Sequence, residues 1–256
     1  MTRTIMSSLD EAVQGNLAAV IKRINRAALA VSRDPASVTL LAVGKTFPAE
    51  AILSAAAAGQ RCFGENYVQE GVEKIARTRE LAPELAFEWH FIGPIQSNKT
   101  RPIAENFDWA HSVERLKIAQ RLSEQRPVAL PPLNVLLQIN VSGEASKSGL
   151  APAEAADLAA AVAALPRLRL RGLMAIPEAT DDVTAQRAAF RSLRLTFDAL
   201  RAALPAVSAA PLDTLSMGMS ADLEAAIAEG STLVRVGTAI FGQRAAVKPD
   251  RAEDAA

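Results

Sequence analysis

Short, nearly continuous apolar runs alternate along this chain with longer stretches whose apolar residues recur at helical spacing. Eight runs stand out: residues 38–43, 61–64, 88–92, 109–113, 133–139, 168–176, 213–217 and 233–236. The clearest of them, VTLLAV, LNVLLQI and LRLRGLMAI, are nearly continuous and apolar. Strands buried on both faces of a parallel sheet have this pattern. The helical stretches carry matching stop and start signals. Residues 49–58 begin behind Pro48 and end at Gly59, and 221–228 end at Gly230. Residues 114–125, 153–165 and 182–204 run up to Pro127, Pro166 and Pro205. Pro near a helix start and Gly or Pro just past its end mark such boundaries. The chain opens on an amphipathic helix over residues 8–31, with Leu9, Val13, Leu17, Val20, Ile24 and Ala27 on one face.

One helix followed by eight βα units predicts an α/β fold. Right-handed parallel crossovers close the units into a single (β/α)8 barrel with an additional N-terminal helix. A doubly wound open sheet is the alternative, but eight units over roughly 200 residues fill a barrel without remainder. Residues 1–244 are expected to form this one domain, and 245–256 a short polar tail that frays.

Composition narrows the function. Twenty-eight basic residues balance 28 acidic ones, so no charge excess points to nucleic acid or a membrane surface. A single cysteine, Cys62, and two histidines, His90 and His111, argue against a disulfide or a metal site. No apolar run reaches the ~20 residues that span a bilayer. No secretory signal is visible at the N-terminus, and a cytoplasmic location is expected.

In a parallel barrel the active face lies at the carboxyl ends of the strands. Lys45 ends the first strongly apolar run, LLAVGK, at the rim of a dry interior. A poorly solvated lysine favours the neutral amine, which attacks aldehydes. A strand-end lysine can equally snorkel to solvent. SMGMS, residues 216–220, and VRVGT, residues 234–238, end the last two runs. Backbone amides at such Gly-rich strand-to-helix turns bind phosphate, and the loops after strands 7 and 8 are the recurrent phosphate site of this fold. The glycines can also serve only to make tight turns. An amine and a phosphate cradle in one barrel suit a phosphorylated aldehyde, and pyridoxal 5′-phosphate (PLP) satisfies both. A Schiff-base aldolase without PLP stays open on these features alone.

The motifs AVGKT, FGENYVQE, WHFIGPIQSNK, SKSG, RGLMAIP, LSMGMSADLEAAIAEGST and VRVGTAIFG occur in this order over residues 8–244. In this the chain resembles the pyridoxal phosphate homeostasis proteins (the YggS group), whose barrel is similar to the N-terminal domain of alanine racemase, a fold-type III PLP architecture. The resemblance implies that PLP binds as an internal aldimine on Lys45. It implies that Ser216, Gly237 and Thr238 hold the phosphate, that Arg235 faces the pyridine nitrogen, and that Asn66 and His90 line the ring pocket. Met217 and Met174 would pack near the cofactor. Lys147, in SKSG, matches a lysine linked to secondary PLP binding, although a solvated loop lysine reads the same way. Gly44 stands where Ser is frequent, and Phe47 where some relatives carry another lysine, which puts in doubt a transfer route that needs a lysine there.

The implied function is intracellular PLP homeostasis, as a carrier or buffer with little or no turnover. PLP-dependent apo-enzymes are the expected acceptors. The alternative is a PLP-dependent amino-acid racemase. Two features speak against it. Arg235 offers donors only, so the ring nitrogen stays an unprotonated acceptor and the electron sink is weak. The sequence also ends soon after the eighth run, without the C-terminal β-domain from which related racemases take a second base. That leads to the expectation of a monomer. Tyr67 is the sole tyrosine.

Overall fold

The structure, a computed structural model, describes residues 2–142 and 148–242. Eight parallel strands close in sequence order into a barrel: β1 Thr39–Val43, β2 Cys62–Glu65, β3 Glu88–Phe91, β4 Trp109–Val113, β5 Leu133–Gln138, β6 Leu168–Met174, β7 Thr214–Ser216 and β8 Leu233–Val236. Each overlaps one of the eight runs, and β2 extends one residue beyond its run, to Glu65. β8 pairs with β1 from Thr39↔Leu233 to Ala42↔Val236, which closes the barrel.

The main apolar core lies between the barrel wall and the surrounding helices. Leu40, Ala42, Phe63, Trp89, Phe91, Leu137 and Leu173 face it from the strands. The helices are α1 Thr2–Ala30, α2 Ala49–Ala57, α3 Val68–Leu81, α4 Thr100–Asn106, α5 Leu116–Gln125, α6 Ala155–Ala163, α7 Val183–Ala203, α8 Ala206–Ala209, α9 Leu223–Ala228 and α10 Thr238–Phe241. Helix α7 starts where the Asp182 carboxylate accepts the Thr184 amide at 2.8 Å, capping an otherwise unpaired donor. Helix α1 buries Val13, Leu17, Val20, Ile24 and Ala28 along one stripe. It packs on α2, α9 and α10, over the seam where β8 meets β1. Polar contacts pin it there: Asn16 donates to the Ile240 carbonyl at 3.0 Å, and Arg33 to that of Ile227 at 2.8 Å.

Helices α3 and α4 fill two crossovers in which the apolar pattern delimits no helix. The inward face of α3 consists of Gly71, Lys74, Ile75 and Thr78, only one of them a large apolar residue. Alternate strand residues point into the barrel, and here the interior is polar. Glu88, His90, His111, Asn134, Arg171, Ser216 and Arg235 occupy it beside Leu41, Leu136 and Met174. Trp109 stacks on His90 with ring centroids 5.0 Å apart, and the Arg171 guanidinium lies 4.6 Å from the Trp109 ring.

Candidate functional site

At the carboxyl ends of β1, β2 and β8 opens a cavity of about 760 Å³. Lys45, Phe47, Asn66, Ser220, Arg235, Gly237 and Thr238 are on its wall. Five of the eight residues expected to bind cofactor are therefore brought together: Lys45, Asn66, Arg235, Gly237 and Thr238. The other three, His90, Ser216 and Met217, are 0% exposed and lie off the wall, inside the fold. Met174 is likewise buried, packed with Trp109 and Leu136. Lys147 lies outside the described residues.

Lys45 sits in a turn closed by the Phe47 amide on the Gly44 carbonyl at 3.0 Å. Behind the turn lies Lys74 of α3. Its ammonium donates to the Gly44 carbonyl at 2.8 Å, to Glu65 Oε1 at 2.6 Å and to Glu70 Oε1 at 2.9 Å. Burial pushes the Glu65 carboxyl up to about 7, against the pull of the adjacent Lys74 ammonium. On the neighbouring residue, Asn66 Oδ1 is buried and has no hydrogen-bond partner among the described residues. The backbone of Asn66 is packed against Gly93, where any Cβ would lie 2.0 Å from the Asn66 carbonyl oxygen, so only glycine fits.

Arg235 rises from β8 to the cavity floor. Its Nη1 donates to both the carbonyl and the hydroxyl of Ser216 at 2.7 Å, and its Nη2 to the Ala175 carbonyl at 2.9 Å. Burial lowers its pKa to about 10, with Asp222 pulling the other way, so it stays charged at neutral pH. Its Nε–H and the second Nη2 hydrogen have no partner among the described residues, and a guanidinium has no acceptor to offer.

Below Arg235 a hydrogen-bonded chain runs through the barrel. Ser216 Oγ lies 3.1 Å from His111 Nδ1, His111 Nε2 lies 2.8 Å from His90 Nδ1, and His90 Nε2 lies 2.9 Å from Glu88 Oε1. Its direction can be deduced. Glu88, held down at about 2 chiefly by its bond from His90, is ionised at neutral pH and only accepts. His90 therefore carries its proton on Nε2. Burial lowers the pKa of both imidazoles, so both are neutral and each Nδ1 accepts. His111 then donates from Nε2, Ser216 donates to His111, and Arg235 donates to Ser216. This chain is why His90 and the Ser216 hydroxyl do not face the cavity. Cys62 Sγ adds a 3.6 Å contact to the same Glu88 oxygen. Burial pushes that thiol up to about 12, where it is a weak donor rather than a thiolate ligand.

Opposite Lys45, the loop after β7 turns at Gly218, whose φ of 94° favours glycine. Its carbonyl accepts the Arg235 amide at 2.9 Å, and Asp222 Oδ1 takes the Met219 amide at 2.6 Å. Arg23 of α1 reaches over to the Ser220 carbonyl at 3.2 Å. This loop presents the Ser220 side to the cavity, not Ser216. Both serines lie in SMGMS, and their positions relative to the strand end separate them: Ser216 is still in β7, while Ser220 is beyond the turn. Across from Ser220, Gly237 and Thr238 begin α10; the Ile240 and Phe241 amides close on the Gly237 carbonyl, which leaves the Thr238 and Ala239 amides at the helix start without an intrahelical acceptor.

The family model of the alanine racemase N-terminal domain matches residues 15–245. Over 229 residues the chain is 64% identical to a Pseudomonas aeruginosa protein named pyridoxal phosphate homeostasis protein, covering 90% of this chain and 94% of that one. In structure it is similar to PipY of Synechococcus elongatus, solved with PLP bound: TM-score 0.75, 36% identity, 90% of this chain and 100% of that one. An alanine racemase of Corynebacterium glutamicum shares the fold at TM-score 0.68 and 17% identity, with 92% of this chain covering 62% of that one.

Proposed function

This chain belongs to the pyridoxal phosphate homeostasis proteins, built on the alanine racemase N-terminal barrel, and from that premise we propose that it holds PLP on Lys45 as a carrier and buffer of the cofactor, with little or no turnover. One observation carries the reading: a lysine amine, a buried guanidinium with uncommitted donors, and a hydroxyl-lined turn share one cavity. The residues fit the group. When bound, PLP would supply an aldehyde, the functional group that an amine such as that of Lys45 takes up. The Ser220 and Thr238 hydroxyls and the amides around Gly237 would hold the phosphate, and among the described residues no carboxylate is on the wall to oppose it. Arg235 would present N–H to the ring nitrogen and keep it an acceptor. Asn66 supplies its uncommitted amide. Ser216 acts from below by fixing the orientation of Arg235.

Two features support holding over catalysis. An electron sink needs a protonated ring nitrogen, which a donor-only partner disfavours. Inversion at a carbon needs a proton-exchanging group on each of its faces, and among the described residues Lys45 is the one such group on the cavity wall. In this reading the protein works in the cytoplasm and its acceptors are PLP-dependent apo-enzymes. No helix among the described residues is long and apolar enough to cross a membrane. The test is borohydride reduction of the PLP-loaded protein, with mass mapping of the pyridoxyl group. The adduct is expected on Lys45 and absent in Lys45→Ala. An adduct mapped to a different lysine in the native protein defeats the assignment.

A further inference from the structure

The backbone around Lys45 is fastened on both sides to one ion cluster, buried at Lys74 and Glu65 and partly exposed at Glu70. Building on the reading of Lys45 as the PLP-capturing residue, we propose that Lys74 and Glu70 are positioning residues for its amine. All three ammonium hydrogens of Lys74 are committed, one of them to the carbonyl of Gly44, immediately before Lys45. Glu70 Oε1, which Lys74 holds, also accepts the amide of Thr46, immediately after Lys45. A single Lys74–Glu70 pair thus grips the chain one residue to either side of the reactive side chain. The grip has something to hold against. Thr46 adopts φ of 67°, a left-handed conformation that β-branched residues resist.

The wall behind the turn leaves no room for retreat. A Cβ built on Gly44 would lie 2.5 Å from Ile52 Cδ1 and 3.1 Å from Glu65 Oε1. Glu65 closes the cluster from β2. It faces Lys74, Glu70 and Lys45, its Oε2 has no partner, and its titration near 7 places the cluster's charge balance within the physiological range. A purely stabilising role for the cluster is a poor account of it. A buried ion pair is often no more stable than an apolar replacement, and these polar groups end on the backbone of the Lys45 turn. A fixed backbone narrows the volume the amine samples, which is how positioning accelerates an addition.

The experiment uses the full-length protein and three variants, Glu70→Ala, Glu70→Gln and Lys74→Met, compared at equal folded fraction. Two rates are read: competitive acetylation of Lys45 relative to the other lysines in the PLP-free protein, and borohydride-trapped pyridoxyl formation after adding PLP. Glu70→Ala is expected to slow trapping about tenfold or more and to change the relative acetylation of Lys45. Glu70→Gln, whose amide oxygen still accepts the Thr46 N–H, is expected to restore both. Lys74→Met, where it folds, should match or exceed the alanine variant. Wild-type rates in Glu70→Ala, or a loss that Glu70→Gln fails to restore, overturn the proposal. Failure of the underlying PLP reading looks different: the wild-type protein itself would then carry no pyridoxyl group on Lys45, while the acetylation comparison would still report on positioning.

Discussion

Replacing Glu88 with alanine removes the acceptor at the foot of the barrel's hydrogen-bonded chain and leaves the buried His90 Nε2–H without a partner. Two routes give the size of the effect. A lost hydrogen bond to a charged acceptor is worth about 1.5–3 kcal/mol. The carboxyl's pKa, about 2 against an ordinary 4.5, corresponds to roughly 3 kcal/mol of linkage. The Glu88 side chain is 44% exposed, and solvent screening cuts that to about 1–2 kcal/mol. The sign follows from the depressed folded pKa. The contribution is complete above the unfolded value and is lost as the pH falls from 4.5 through about 2. Denaturant unfolding should therefore show wild type more stable than Glu88→Ala by about 1–2 kcal/mol at neutral pH, or about 2–4 °C in Tm per kcal/mol. The gap should narrow steadily below roughly pH 4.5. The chain has only two histidines, so a nitrogen-15 spectrum assigns their tautomers directly. Both are expected neutral at about pH 7.5 with the proton on Nε2. A proton on Nδ1 of either ring, or a stability gap that stays constant into acid, would refute the deduced direction of the chain.

Other outcomes follow from the cavity. Ser220→Ala and Thr238→Ala should each weaken PLP binding by about 1–3 kcal/mol in a calorimetric titration while leaving pyridoxal, which has no phosphate, nearly unaffected; equal losses for both ligands would remove the phosphate assignment. Deuterium incorporation at the α-carbon of L-alanine by the PLP-loaded protein should stay far below the usual enzyme range of about 1–1,000 per second; rates within that range would make the protein a catalyst rather than a carrier.

The barrel was legible in the sequence because β1, β5 and the end of β6 read as nearly continuous apolar runs, and the remaining strands recur between helical stretches at regular intervals. Helix α3 was not, and the reason is chemical. Its inner face carries Lys74, held in an ion cluster, and Gly71, whose Cβ would come within 2.6 Å of Phe107, so the apolar stripe that marks an amphipathic helix is missing there. One signal was available: Glu70 and Lys74 stand four apart, the spacing of an i,i+4 ion pair. Strand-end position accounts for Lys45, Arg235, Gly237 and Thr238 sharing one cavity wall, because a βα junction has little freedom. Height along the strand was harder to read. His90 and Ser216 have the right parity to point inward, but parity does not say how far below the rim a side chain lies. Both sit beneath the cavity, and Ser220, four residues on, reaches the wall instead.

That difference in height explains how a cation can be kept at the cavity floor. An isolated buried guanidinium is unfavourable, and burial does lower the Arg235 pKa. The barrel answers this without placing a carboxylate against it. Asp222 attracts it from the rim, and beneath it every bond of the chain Arg235, Ser216, His111, His90, Glu88 points the same way. The two ends are a cation and an anion, and the neutral links between them are all oriented to favour both. A carboxylate directly beside Arg235 would have neutralised the site and occupied its donors. With the negative charge moved to the far end of the barrel, the Nε–H and the remaining Nη2 hydrogen stay available and already oriented. Such a floor binds an acceptor without reorganising, the arrangement of preorganised dipoles that stabilises a fixed charge pattern. In the proposed reading, a ring nitrogen placed against this floor would be held in its unprotonated form.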